Sequence, residues 1–163
     1  MVLMGVAGCG KSSVGAALAD RLGAAYLDGD ELHPPSNIDK MRRGVALDDE
    51  DRWPWLTLVG QTLARAEGRQ IIGCSALKRA YRAHIAQTAG EVITFVHLAG
   101  SPEVIKARMN ARTGHFMPTD LLASQFATLE PPDADENAFS VDIDRPLGAI
   151  VEAVVTQLKG MET

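Results

Sequence analysis

A chain of 163 residues, 46% apolar and 23% charged, has enough material for one domain with its own core and excludes disordered and collagen-like architectures. Its net charge of −5 argues against a nucleic-acid partner, because grip on a phosphate backbone normally shows as a basic surplus. The two cysteines, Cys9 and Cys74, form no CxxC and imply reduced thiols in a cytoplasmic setting, while no run is long enough to span a bilayer and no targeting signal is visible.

Met1 to Val6 is a continuous apolar run ending in glycines, the pattern of a strand buried on both faces. From Lys11 to Leu22 the period turns helical, with Val14, Ala17, Leu18 and Leu22 on one face and Gly23 as the stop. Ala24 to Leu27 reads as a second strand, running into the acidic turn Asp28-Gly29-Asp30. A short helix is expected over Asn37–Arg42, and a longer one after Pro54, carrying Leu56, Val59, Leu63 and Ala66 and closed by Gly68. Ile71 to Cys74 is a third strand, followed by a helix from Leu77 to about Thr88. A fourth strand spans Val92–Leu98, and Ser101-Pro102 caps and opens a helix to about Arg112. Thr113 to Pro118 is a loop, Thr119 to Leu129 a helix, Phe139 to Ile143 a fifth strand, and Pro146 opens the last helix, to about Leu158.

Strands alternating with helices imply right-handed βαβ units. The expectation is therefore a single α/β domain, a five-stranded parallel sheet with helices on both faces in three layers. Ligands in such folds bind beyond the carboxyl ends of the strands, and the motifs fall there.

Gly5-Val6-Ala7-Gly8-Cys9-Gly10-Lys11-Ser12 satisfies GxxxxGK[ST] between a predicted strand and a predicted helix. The glycines let backbone N–H groups turn inward on phosphate oxygens, and the helix adds its positive end. Lys11 then bridges the β- and γ-phosphates of ATP, and the Ser12 hydroxyl meets Mg²⁺. Candidate nucleotide contacts are Gly5, Val6, Ala7, Gly8, Cys9, Gly10, Lys11, Ser12 and Ser13. No acid follows the third strand and no Asn-Lys-x-Asp is present, which argues against a guanine-nucleotide switch. Asp30, one turn past the second strand, is the candidate base for an acceptor hydroxyl, and Asp28 the candidate to orient the metal's waters. His33, Arg52, Lys78 and Arg82 are candidates to hold an anionic acceptor, since Arg pairs with a carboxylate in a fork. Arg108 and Arg112 precede a loop suited to closing over ATP.

Several blocks resemble the gluconokinases: Gly5–Ser12, Leu27-Asp28-Gly29-Asp30 with Leu32-His33-Pro34, Asn37-Ile38-x-Lys40-Met41, and the stretch 48–56. Cys74-Ser75-Ala76-Leu77-Lys78 with Tyr81-Arg82, Arg112-x-Gly-His-Phe-Met117, Gln125 to Glu130 and Val141 to Pro146 continue the likeness over almost the whole chain. The resemblance implies an adenylate- or shikimate-kinase-like branch of the P-loop fold, with a substrate-binding insertion at about 30–68 and a lid at about 112–130. It further implies transfer of phosphate from ATP to the 6-hydroxyl of D-gluconate, Mg²⁺ dependence, a homodimer, and Gln125 among the acceptor contacts. Shikimate or nucleoside-monophosphate kinase activity on the same fold is the alternative, and a non-catalytic nucleotide-binding protein a remoter one.

Overall fold

The computed structural model describes residues 1–111 and 119–163. Five strands, β1 (Val2–Met4), β2 (Ala25–Asp28), β3 (Gln70–Gly73), β4 (Phe95–Ala99) and β5 (Ala138–Asp142), form one sheet in the order β2-β3-β1-β4-β5. Every pairing is parallel, so the expected three-layer P-loop architecture is what the chain adopts. The central strand β1 is flanked by β3 (Val2↔Ile72) and β4 (Met4↔His97), and its three residues are wholly buried. That is why it reads as an unbroken apolar run rather than an alternating one.

The helices are α1 (Lys11–Leu22), α2 (Pro35–Arg42), α3 (Asp49–Ala64), α4 (Arg79–Ala89), α5 (Pro102–Ala111), α6 (Thr119–Thr128) and α7 (Leu147–Met161). Two hydrophobic clusters cover the two faces of the sheet. Leu3, Ile71, Val96 and Leu98 pack against Val14 and Leu18 of α1, Ile105 of α5 and Ile150 and Val154 of α7. On the other face Val2, Met4, Ile72 and Phe95 meet Trp55, Leu56 and Val59 of α3 and Ile85 of α4. Each fully buried aliphatic side chain contributes on the order of 1.5–3 kcal/mol.

Several boundaries differ from the sequence expectation, and three of them have a clear local reason. Helix α3 begins at Asp49 rather than after Pro54. Asp48 accepts the Asp51 N–H at 2.8 Å, and Asp51 in return accepts the Asp48 N–H at 3.0 Å. This reciprocal cap starts the helix early enough to enclose Pro54, at the cost of one backbone hydrogen bond and some crowding of the carbonyl four residues before it. Strand β4 starts at Phe95, where pairing to Ala138 begins, and leaves Val92 84% exposed ahead of it. Helix α4 starts at Arg79, two residues later than expected, because Ala76 takes a left-handed turn with φ 42°.

One close approach ties α1 to the sheet. A Cβ placed on Gly15 would lie 2.2 Å from the Tyr26 ring, so the aromatic ring lies directly against the helix backbone. Gly15→Ala is expected to cost about 1–3 kcal/mol through overpacking, read as a lower thermal midpoint. No helix among the described residues is long and apolar enough to cross a membrane.

Candidate active site

The ends of β1, β3 and β2 open side by side, and each delivers one component of the site. After β1 the chain enters the phosphate loop. Gly8 and Gly10 have φ of 82° and 100°, which only glycine adopts without strain, and they wind the backbone into the N-terminus of α1. No side chain caps that N-terminus, so the first-turn N–H groups and the positive helix end remain available to an anion. Lys11 folds over the loop, its Nζ donating to the carbonyls of Gly5 (2.9 Å) and Val6 (3.2 Å). The Cys9 thiol is fully buried beneath, its Sγ 3.8 Å from the same ammonium.

Two distant elements reach this loop. Gln125 of α6 accepts the Ala7 N–H at 2.6 Å. Arg108 of α5 donates to the carbonyls of Ile143 and Arg145, and one of its nitrogens is 4.0 Å from where a Gly10 Cβ would sit. Arg108 thus stands beside the phosphate loop, whereas Arg112 and the Thr113–Pro118 loop lie outside the described residues.

After β2, a 3-10 turn over Gly29–Leu32 is capped by Asp28, whose Oδ1 accepts the Asp30 N–H at 3.0 Å. The Asp30 carboxylate is 79% exposed at this end of the sheet, 3.8 Å from His33 Nε2. Some loss of hydration to the surrounding protein, with the charge of Asp28 next in weight, raises its pKa, His33 and Lys11 pull it part of the way back, and the exposure keeps the effect modest. Asp30 and the phosphate loop stand at the same end of the sheet, after β2 and β1 respectively.

His33 is buried and stacks on Trp55, with ring centroids 4.1 Å apart and planes at 19°. Asn37 Nδ2 lies 3.2 Å from His33 Nδ1 and donates to the Asp51 carbonyl at 2.9 Å, which fixes the amide's orientation. The Nδ1 is therefore an acceptor, and the ring proton sits on Nε2, facing Asp30. Burial lowers the His33 pKa, so the ring is neutral at pH 7. Trp55 Nε1 donates to the Gly29 carbonyl at 2.8 Å and locks the acidic turn to α3.

The turn after β3 and the start of α3 supply a cationic wall. Arg52 Nη1 and Lys78 Nζ each lie 3.7 Å from Asp49 Oδ1, and the Tyr81 hydroxyl donates to that oxygen at 2.5 Å. Arg52 Nη1 also reaches the Tyr81 oxygen at 3.3 Å, and both cations lie within 6 Å of the Tyr81 ring centroid. Asp49 is held below the usual carboxylate range, chiefly by the Tyr81 hydrogen bond and then by Lys78 and Arg52. Burial and the same carboxylate push the Tyr81 hydroxyl up to about 12.

Arg82, expected among the acceptor ligands, occupies a different place. It is 2% exposed, and its fork is taken by Glu136 (Nε 2.7 Å, Nη2 3.0 Å) and by the Ala76 carbonyl (Nη1 2.9 Å). Spacing four residues from Lys78 predicts one shared helix face, but Lys78 is the extended N-cap residue before α4 and lies beside Asp49, whereas Arg82, inside the helix, meets the 130–137 segment. Gln125 likewise stands on the phosphate loop rather than at the cationic wall.

Sequence reasoning missed Asp49, Tyr81, Asn37 and Glu136. Asp49 has a faint signal, standing three residues before Arg52 on one helix, and Asn37 another, four residues after His33. Glu136 has none, because its partner is 54 positions away.

The model described as "AAA domain" matches residues 1–132. The chain is 44% identical over 162 residues to the thermoresistant gluconokinase of Escherichia coli (strain K12), covering 97% of this chain and 92% of the relative. A crystal structure of a gluconokinase from Sinorhizobium meliloti 1021 superposes with TM-score 0.90 at 46% identity, covering 98% of this chain and 91% of that one. The shikimate kinase of Aquifex aeolicus shares the fold at TM-score 0.65 and 18% identity, over 99% of this chain and 96% of that one. With a phosphate loop, an acidic turn and a cationic wall meeting at three adjacent strand ends, and with relatives this similar over nearly the full length, the chain belongs to the gluconokinase family of P-loop kinases.

Proposed function

We propose that this chain transfers the γ-phosphoryl group of ATP to the 6-hydroxyl of D-gluconate. The observation that carries the reading is the meeting, at one end of the sheet, of Lys11 on the phosphate loop, Asp30 on the turn after β2, and Arg52 and Lys78 around Asp49, which together would border one groove. A sugar acid fits such a groove lengthwise, its carboxylate on the cations and its terminal hydroxyl toward Asp30. Asp30 takes the hydroxyl proton as the oxygen attacks, Lys11 stabilises charge on the transferring group, and the loop amides hold the phosphates in line. The His33 Nε2–H, aimed at Asp30, orients that carboxylate or the acceptor hydroxyl.

Mg²⁺ fits the residues present. Among the described residues no group of three His, Cys, Asp or Glu forms a protein cage, which suits an ion carried mainly by phosphate oxygens and water. The Ser12 hydroxyl and, through water, the Asp28 carboxylate would hold it beside the loop. When bound it neutralises charge on the β- and γ-phosphates. Arg108 and Arg112 would close on the nucleotide, with residues 112–130 serving as the lid and Gln125 joining it to the loop. A homodimer follows the family's common state and is read by light scattering. Two buried free thiols, Cys9 and Cys74, favour a cytoplasmic setting.

The test is a coupled assay offering gluconate, shikimate and nucleoside monophosphates with ATP and Mg²⁺. Gluconate turnover alone supports the reading; turnover of another acceptor in its place overturns it. Lys78→Ala should raise the gluconate KM by about 10–100-fold, the worth of one charge-assisted hydrogen bond, with the ATP KM nearly unchanged. A change confined to ATP would move Lys78 out of the acceptor site.

A further inference from the structure

We propose that Arg82 is a positioning residue for the acceptor site: it holds Ala76 in a left-handed turn that carries Lys78 into the groove. The proposal rests on the reading of Lys78 as a gluconate ligand.

Ala76 is the one non-glycine residue with positive φ (42°) among those described, and it is completely buried. An alanine in this region is strained and persists only where its surroundings over-determine it. The surroundings here are specific. The Ala76 carbonyl accepts Arg82 Nη1 at 2.9 Å from one turn into α4. On one side of Ala76, the Ser75 carbonyl accepts the Gly5 N–H of the phosphate loop at 3.2 Å. On the other, Lys78 is the N-cap of α4 and lies 3.7 Å from Asp49. With Ser75 pinned to the phosphate loop, relaxing Ala76 to negative φ would be taken up on its far side and change where Lys78 points.

Arginine suits this task and lysine does not, because one planar fork serves two partners at once. Nε and Nη2 grip both oxygens of Glu136 while Nη1 holds the turn. Glu136 is itself braced, its Oε2 accepting the Asp133 N–H at 2.8 Å. The same segment clasps the turn twice more. The Glu130 N–H donates to the Leu77 carbonyl at 2.7 Å, and Glu130 Oε1 accepts the Arg79 N–H at 2.9 Å. Residues 130–136 follow directly on α6, whose Gln125 takes the Ala7 N–H. One stretch of chain therefore touches both the phosphate loop and the acceptor turn, and Arg82 is its buried fastening to the latter.

A merely structural ion pair and a positioning device are separated by a rescue experiment. Arg82→Met, Ala76→Gly and the double variant are compared by KM for gluconate, KM for ATP and thermal midpoint. Glycine adopts φ near 42° without strain, so it can keep the turn when Arg82 is gone. Arg82→Met is expected to raise the gluconate KM at least about tenfold and leave the ATP KM within about twofold. Adding Ala76→Gly should recover most of the gluconate KM while the thermal midpoint stays low, since Glu136 still lacks its partner. An unchanged gluconate KM in Arg82→Met, or no recovery in the double variant, overturns the proposal. Arg82→Lys, which keeps a charge opposite Glu136, is read for the same outcomes if the methionine variant does not fold. A crystal structure of either variant decides the matter independently of the acceptor's identity: Ala76 still left-handed without Arg82 would overturn it. Absence of gluconate turnover in the unaltered enzyme would instead remove the functional reading.

Discussion

Lys11→Ala is expected to lower turnover by at least about 10²–10³-fold, the loss measured when one preorganised donor to a developing charge is removed. The structure explains why nothing else substitutes. The Lys11 ammonium is satisfied only by the Gly5 and Val6 carbonyls and the Cys9 sulfur, and no carboxylate among the described residues lies within ion-pair distance of it. Its charge is therefore undiminished and held at the mouth of the loop. The two carbonyl hydrogen bonds come from a charged donor and are each worth about 1.5–3 kcal/mol, so the variant should also melt measurably earlier than the parent. Steady-state kinetics beside a thermal melt check both halves. Turnover at the parental rate would take Lys11 out of the chemistry.

Asp30→Asn should reduce turnover by about 10²–10⁴-fold, the usual share of a positioned general base, while ATP affinity stays close to that of the parent. The direction of the Asp30 pKa adds two further expectations. Its folded pKa lies above the ordinary 3.8, so the fold disfavours the charged form. The relative stabilisation belongs to the protonated group, is complete below the unfolded pKa and is lost as pH rises through the folded value. At pH 7 the ionised carboxylate is thus slightly disfavoured by the fold, an effect that its 79% exposure keeps small, so Asp30→Asn should hold or slightly raise the thermal midpoint while removing most of the activity. The kcat/KM profile of the parent should fall on its acid side at a pH above 3.8, and this limb should vanish from whatever activity Asp30→Asn retains. A variant that melts earlier, or a rate little changed, would assign Asp30 to the scaffold.

The strain in this site is concentrated where function needs it. Ala76 is left-handed, the charged form of Asp30 is disfavoured beside Asp28, and Asp49 sits between two cations that the acceptor is proposed to use. Natural proteins break local rules mainly at such places, and the cost is carried by the surrounding core.

Much of this was written in short stretches of sequence. The phosphate loop, the buried first strand and the acidic turn each depend on residues within about ten positions. Glycine conformations, an apolar run and a strand end suffice to set them, so sequence alone determined the sheet class and the placing of Lys11 and Asp30 at the same end of the sheet. The early start of α3 was also local, encoded in the Asp48–Asp51 pair, and was masked by the stronger helix-breaking signal of Pro54. What tertiary structure alone decided is who meets whom across the fold. Arg82 and Lys78 carry the same charge four residues apart, yet Glu136, 54 residues from Arg82, claims the first, while the second, at the N-cap of α4, is left beside Asp49. Gln125 finds the Ala7 N–H across 118 positions. Helical periodicity states which residues share a face, but the partner opposite that face is set by packing between elements distant in sequence.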